Sequence, residues 1–167
     1  MEGVAELGIR DLVGLLRART TLVLATIGAD GAPHQVPVVF TTNDPEAHRV
    51  QGRSLALRIW FPIDGKPKRH ANLQRLRNTD RDPRVSLLAD HYHADWHRLW
   101  WVRMEGIAGR VEDEAERVRV LKSLRGRYPQ YQPPDGSAVL PEDASIVGIT
   151  IKSVQAWCAG RWDAHLN

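Results

Sequence analysis

The stretch His97–Asp113, HRLWWVRMEGIAGRVED, decides the fold. Along it Trp100, Val102, Met104 and Ala108 share one face, while Leu99, Trp101, Arg103, Glu105 and Ile107 share the other. A period of two is that of an extended strand, whose successive side chains point to opposite faces. The run is the longest strand candidate in the chain. Its second face mixes Trp101 with Arg103 and Glu105, which suits an interface better than a dry core.

Similar strands surround it. Upstream, PRVSLLAD (83–90) reads as a strand, and SLALRIWF (54–61) alternates with Leu55, Leu57, Ile59 and Phe61 on one face. TLVLATI (21–27) is a compact apolar run, and GADGAP places Asp30-Gly31 in the tight turn of a hairpin. The return run HQVPVVF (34–40) puts Val36, Val38 and Phe40 on one face. Pro37 cannot donate to a ladder, so this strand lies at an edge or carries a bulge. Downstream, ASIVGITIKSVQAWCAG (144–160) is the final strand.

Helices are few. Leu12, Leu15 and Leu16 fall at helical spacing within residues 4–18. EDEAERVRVLKSLRGRY (112–128) has acids in its first turn and arginines in its last, matched to the helix dipole. Residues 43–53 and 129–143 read as long polar or proline-rich loops. Six strands with antiparallel neighbours, and helices as plugs, predict a mainly β chain forming a small barrel. Its 167 residues make one domain: an N-terminal helical segment 1–19, a barrel 20–160 and a tail 161–167.

Composition narrows the function. Hydrophobic content of 43% and charged content of 26% are globular rather than disordered. A net charge of +3 and a pI near 9.3 fit a phosphorylated small molecule as well as nucleic acid. The single cysteine, Cys158, excludes an intramolecular disulfide and a cysteine-built zinc site. There is neither a bilayer-length apolar run nor a signal-peptide pattern, so a soluble, cytoplasmic protein is expected.

One basic stretch stands out. DGKPKRHANLQRLRN, Asp64–Asn78, crowds Lys66, Lys68 and Arg69 around Pro67, a residue suited to the first turn of a helix. Leu73 and Leu76 begin a buried stripe, and Arg75 and Arg77 read as its solvated face. Acids normally gather at a helix N-terminus; cations there imply an anion, and a phosphate would meet free N–H groups as well as ammonium groups. Neither a Walker A loop nor a dinucleotide fingerprint is present. Cations interleaved with leucines, and tryptophans lying mostly on strands that must bury them, argue against nucleic acid.

Other candidates are weaker. DHYHADWH, with Asp90, His91, His93, Asp95 and His97, reads as a solvated connection rather than a metal site, because no Glu or Cys completes a ligand set. Cys158 reads as a buried small hydrophobe, and no serine occupies a G-x-S-x-G elbow.

Three motifs in order, the D-G-x-P hairpin, the lysine-rich stretch followed by DPRVSLL, and WWVR-x-EG-x-A, resemble the flavin-reductase-like split β-barrels of the pyridoxamine-phosphate-oxidase superfamily. The closest likeness is to actinobacterial oxidoreductases dependent on the deazaflavin coenzyme F-420, over roughly Thr20–Gly160. The resemblance implies a six-stranded antiparallel split barrel of the FMN-binding type, a homodimer, and a cofactor between barrels. By the same resemblance Lys66, Lys68 and Arg69 hold the cofactor phosphate, Val36, Pro37, Val38, Phe61, Pro62 and Ile63 line its ring system largely through backbone, and Trp100, Trp101 and Arg103 lie near the dimer contact. The arginine- and serine-rich phosphate motif of true pyridoxamine-phosphate oxidases is absent. The implied activity is hydride transfer between reduced coenzyme F-420 and a small organic substrate. FMN as cofactor, or a non-catalytic barrel that binds flavin, deazaflavin or tetrapyrrole, is the alternative.

Overall fold

The computed structural model describes residues 7–43, 57–63, 73–132 and 140–165. Seven strands form one antiparallel sheet: β1 (Leu22–Ile27), β2 (Pro33–Val38), β3 (Thr41–Thr42), β4 (Arg58–Pro62), β5 (Arg84–His91), β6 (Trp100–Arg110) and β7 (Ile146–Cys158). Their order is β2-β1-β5-β6-β7-β4-β3. Helices α1 (Ile9–Arg17), α2 (Gln74–Arg81) and α3 (Glu114–Arg127) complete the domain.

The extra strand is β3, which lies just beyond the return strand expected over 34–40; that run supplies β2 and the link Val39-Phe40. β2 and β3 stand at opposite ends of the sheet order, yet only Val39 and Phe40 separate them in the chain. The sheet therefore curls until its two edges meet at that link, which makes a split barrel. Pro37 lies on the edge strand β2, opposite Val23, where its missing N–H costs the ladder least.

Phe40 itself is fully buried, and its backbone belongs to neither ladder. Tyr128 meets that need: its hydroxyl accepts from the Phe40 N–H at 3.1 Å. The hydroxyl proton faces two carbonyl acceptors, Phe40 at 2.9 Å and Thr20 at 3.0 Å. The neighbouring Arg127 stacks its guanidinium 4.8 Å from the Phe40 ring and donates to the Leu16 and Arg19 carbonyls. The C-terminal end of α3 thus ties together the crossing, α1 and the entry to β1.

The alternation along β6 holds: Trp100, Val102, Met104 and Ala108 are buried, and Arg103, Glu105 and Ile107 are exposed. Gly106 sits where β7 carries a bulge, since Glu105 pairs with Ser153 but Gly106 with Ile151. A Cβ on Gly106 would lie 2.7 Å from the Thr150 carbonyl oxygen, so only glycine lets the strands approach there. In the β1–β2 turn Gly31 takes φ +81°, and the Asp30 carboxylate accepts from the Ala32 N–H at 3.0 Å, as the Asp-Gly pair predicts.

β4 departs from simple alternation. Ile59 and Phe61 face the barrel core, but Trp60 on the opposite face is only 3% exposed. α3 covers it and forms a second core with Val120, Leu121, Leu124, Tyr128 and Ile146. Trp60 Nε1 donates to Glu116 at 2.7 Å, which satisfies the indole N–H under the helix. Not every tryptophan follows. Trp96 is 77% and Trp157 40% exposed, against the expectation that most are buried in strands.

Replacing Tyr128 by Phe removes a hydroxyl and keeps the ring, so it isolates the crossing. Stability should fall by about 1–3 kcal/mol, because buried Phe40 groups lose their partner. Gly106→Ala should cost about 1–3 kcal/mol through overpacking against backbone. Urea unfolding of both variants measures this; a change below 0.5 kcal/mol, within the ordinary surface-substitution range, would contradict the corresponding assignment.

Candidate functional site

The expected ring-lining segments lie on β2 and at the end of β4. Val38 and Phe61 are buried in the barrel core, and Val36 and Ile63 are half-buried against it. Pro37 is exposed. Val38 and Phe61 face inward, so of these side chains only Val36 and Ile63 leave the apolar floor open. The backbone of β2 is what remains to meet a ligand, because an edge strand leaves alternate N–H and C=O groups outside its ladder.

α2 packs beside this floor. Leu76, Asn78 and Thr79 are its buried residues, so the expected leucine stripe contains an amide. Asn78 Nδ2 donates to Thr26 Oγ1 on β1 at 2.9 Å, and its Oδ1 accepts from Gln74 at 3.4 Å. Arg75 is half-buried, with its guanidinium 6.0 Å from the centre of the Phe61 ring. Sequence reasoning had Arg75 on a solvated face. Its position two residues after Leu73 gave no sign that Phe61 would lie beneath it. Arg77 is exposed and donates to Gln74 at 2.8 Å.

The helix does not begin at Pro67. Leu73 is its N-cap in extended conformation (φ −66°, ψ 134°), and its carbonyl accepts from Leu76 at 3.0 Å and Arg77 at 3.3 Å. Leu73 packs against the barrel core, which fixes the entry to the helix there. The first turn of α2 is therefore Gln74–Arg77, and Lys66, Lys68 and Arg69 are not part of it. Those three residues lie outside the described residues, as do residues 44–56 and most of the second long loop.

Trp100, Trp101 and Arg103 separate by face. Trp100 turns into the core, 3% exposed, under the Arg19 guanidinium at 5.2 Å. Trp101 and Arg103 turn outward. Register aligns Trp101 with Trp157 and with Asp90, and Leu88 with Arg103, which pairs in turn with Gln155. Leu88, Ile107 and Trp157 are 37%, 40% and 40% exposed on this side of the sheet. Arg103 and Glu105 approach to 3.8 Å within it.

The histidine-rich connection has its own partners. His91 Nδ1 lies 3.2 Å from Arg19 Nη1, and His93 Nδ1 accepts from the Asp95 N–H at 3.0 Å. Asp95 caps the 3-10 turn Trp96–Arg98 through the His97 N–H. Among the described residues no group of three His, Cys, Asp or Glu side chains is placed to hold a metal ion. Cys158 is buried, and burial followed by the nearby Asp163 charge raises its thiol pKa, so it stays a thiol at neutral pH. No helix among the described residues is long and apolar enough to cross a membrane.

A curled antiparallel sheet closed by the β2–β3 link defines a split β-barrel. Residues 10–158 match the pyridoxamine 5'-phosphate oxidase family, and the chain belongs to that family. A conserved hypothetical protein of Mycobacterium tuberculosis is 24% identical, with a TM-score of 0.69 over 98% of this chain and 93% of that one. HutZ, the heme storage protein of Vibrio cholerae, is 18% identical, with a TM-score of 0.61 over 90% and 94% of the two chains. A 5-nitroimidazole antibiotic resistance protein of Bacteroides thetaiotaomicron is 9% identical, with a TM-score of 0.63 over 88% and 81%. At these identities the likeness is one of fold. No curated protein matches the sequence.

Because His91 and His93 already have hydrogen-bond partners within the chain, chelation should leave the protein unchanged. After treatment with EDTA, thermal midpoint and cofactor affinity should both equal those of untreated protein. Stoichiometric zinc whose removal lowers either one would make the connection a metal site.

Proposed function

We propose that this protein is an oxidoreductase that binds coenzyme F-420 against β2, β4 and the connection leading to α2. The carrying observation is an apolar floor open at Val36 and Ile63, with the edge-strand backbone of β2 and the Arg75 guanidinium over Phe61. A flat ring needs such a floor, and its polar rim needs the edge donors and acceptors. Lys66, Lys68 and Arg69 follow Ile63 closely in sequence, which suits them to the cofactor phosphate. Bound there, a reduced deazaflavin supplies a hydride to an electron-poor carbon of the substrate. The chain's residues anchor, orient and exclude water. The anion left by hydride addition takes its proton from solvent, and no residue of the chain is assigned as its donor.

The preference for the deazaflavin rests on charge beyond the phosphate. Coenzyme F-420 carries a tail of carboxylates, and Arg75 and Arg77 continue the cationic run. Exposed ion pairs contribute only ~0.2–1 kcal/mol each, so a tenfold preference needs several of them. In fluorescence titrations, Lys66→Ala with Lys68→Ala should weaken FMN and coenzyme F-420 alike, by about 1.5–3 kcal/mol per lost charge-assisted bond. Arg77→Ala should weaken only the tailed cofactor, and added salt should weaken that cofactor more than FMN. Tighter binding of FMN than of coenzyme F-420 at low salt would make this a flavin enzyme. A heme spectrum in the purified protein, with no oxidation of reduced cofactor, would make it a binding protein like its heme storage neighbour.

The same reading makes the protein a homodimer through the outward face of β5, β6 and β7. Leu88, Ile107 and Trp157 give that face its apolar area, beside Trp101. Arg103 and Glu105, adjacent and opposite in charge, can exchange partners across a two-fold axis. Light scattering during size-exclusion chromatography should give twice the chain mass, and Trp157→Glu should shift it toward monomer. A monomer at micromolar concentration for the unmodified chain would refute the dimer.

A further inference from the structure

The end of α1, the connection after β5 and the C-terminal 3-10 turn Trp162–His165 meet at a concavity of about 310 Å3. Of the residues assigned to the cofactor it shares only Trp100. Its charged or ionisable lining is Arg19, His91, His97, Arg98 and His165, with no carboxylate among them.

The hydrogen bonds define what these groups still offer. A guanidinium only donates, so His91 Nδ1, 3.2 Å from Arg19, is an acceptor and the ring proton resides on Nε2. His165 Nε2 donates to the Ala159 carbonyl at 2.9 Å, and its ring stands edge-on to Trp162. Arg19 is held in place by Trp100 at 5.2 Å and by the Asp90 carbonyl at 3.4 Å. Arg98 forms no ion pair among the described residues.

Nearby acids are engaged or turned elsewhere. Asp95 caps the His97 N–H, and Asp163 pairs with Arg161 at 3.2 Å. Asp90 is exposed and lines a separate hollow on the far side of Arg19. Two guanidiniums and up to three imidazoles thus line one concavity with no carboxylate among the described residues that line it.

We propose that this pocket binds a compact oxyanion, of the phosphate or carboxylate class, between Arg19, Arg98 and the imidazoles of His91 and His97. The two arginines supply permanent charge with forked donors, suited to paired oxygens. The histidines add charge when protonated. Burial first, then Arg19, Arg98, His93 and His165, keeps the His91 pKa below its ordinary 6.5, so an empty pocket holds this ring neutral. An anion reverses the sign of the local potential and raises that pKa, so binding strengthens as pH falls. The inference is independent of the cofactor reading. An anionic group could arrive free or as part of a cofactor, and the test separates the two.

Inorganic phosphate is titrated into the full-length protein at constant ionic strength, with histidine Cε1–Hε1 NMR signals as the readout. The expected result is a saturable 1:1 shift of His91 and His97 at pH 6, and sulfate, whose charge is the same at pH 6 and pH 8, should bind more weakly at pH 8. Arg98→Ala, a change at an exposed residue, should weaken it roughly tenfold, as loss of one charge-assisted bond requires. Circular dichroism confirms that this variant folds. Prior saturation with coenzyme F-420 or FMN should leave the phosphate titration unchanged. Non-saturating shifts, or binding indifferent to Arg98→Ala, would mean an adventitious ion only and overturn the proposal. Competition with either cofactor would make the pocket part of the cofactor's own site, and overturns it equally.

Discussion

The architecture depends on how one residue crosses between the edges of the sheet. Phe40 leaves β2 on one edge and delivers the chain to β3 on the other, fully buried while outside both ladders. A buried N–H and C=O without their partner would cost about 1–3 kcal/mol, a large fraction of a domain's ordinary stability. One phenolic hydroxyl from the end of α3 answers both groups. The barrel is therefore closed by side chain rather than by ladder. The same hydroxyl reaches Thr20, so α1, β1 and α3 are aligned by the atom that seals the sheet.

Two cores follow from that arrangement. α3 cannot present Tyr128 to the crossing without lying over β4, and there it buries Trp60. The barrel core fills the inside of the curl, and the second core fills the space under α3. Glu116 serves this second core twice, accepting from the Trp60 indole at 2.7 Å and pairing with Arg58 at 2.8 Å. The acid in the first turn of α3 that complements the helix dipole is thus also the one that makes a buried indole tolerable.

What the sequence disclosed, and what it hid, follows from the range of each signal. Strands β4 and β6 were legible because burial on one face writes a period of two into neighbouring residues, and β1 was legible as a compact apolar run ending at a turn. The edge position of Pro37 was legible because a missing N–H is a local fact. The end of β2 at Val38 and the new strand β3 at Thr41–Thr42 were not, because a change of partner leaves no mark in the residues that change it. Trp60 was hidden likewise: its burial depends on a helix more than fifty positions later. In the candidate site, the apolar residues of β2 and β4 were readable, whereas the role of Arg75 needed Phe61 beneath it. The start of α2 was misread because Pro67 is a good first-turn residue, while Leu73, anchored in the core, sets the true boundary.

The bulge on β7 has a consequence for how the chain can vary. Up to Ile151 the odd-numbered residues of β7 face the barrel; from Val154 the even-numbered ones do, as Val154, Ala156 and Cys158 pair with Met104, Val102 and Trp100. Lys152 is the extra residue that switches the parity. Without that switch Ser153 and Gln155 would fall to the inside and Ala156 to the outside. A single-residue insertion or deletion in this short window would therefore invert the second half of the strand, a frameshift in space rather than in code. Between Ile151 and Val154 the count itself is the constraint.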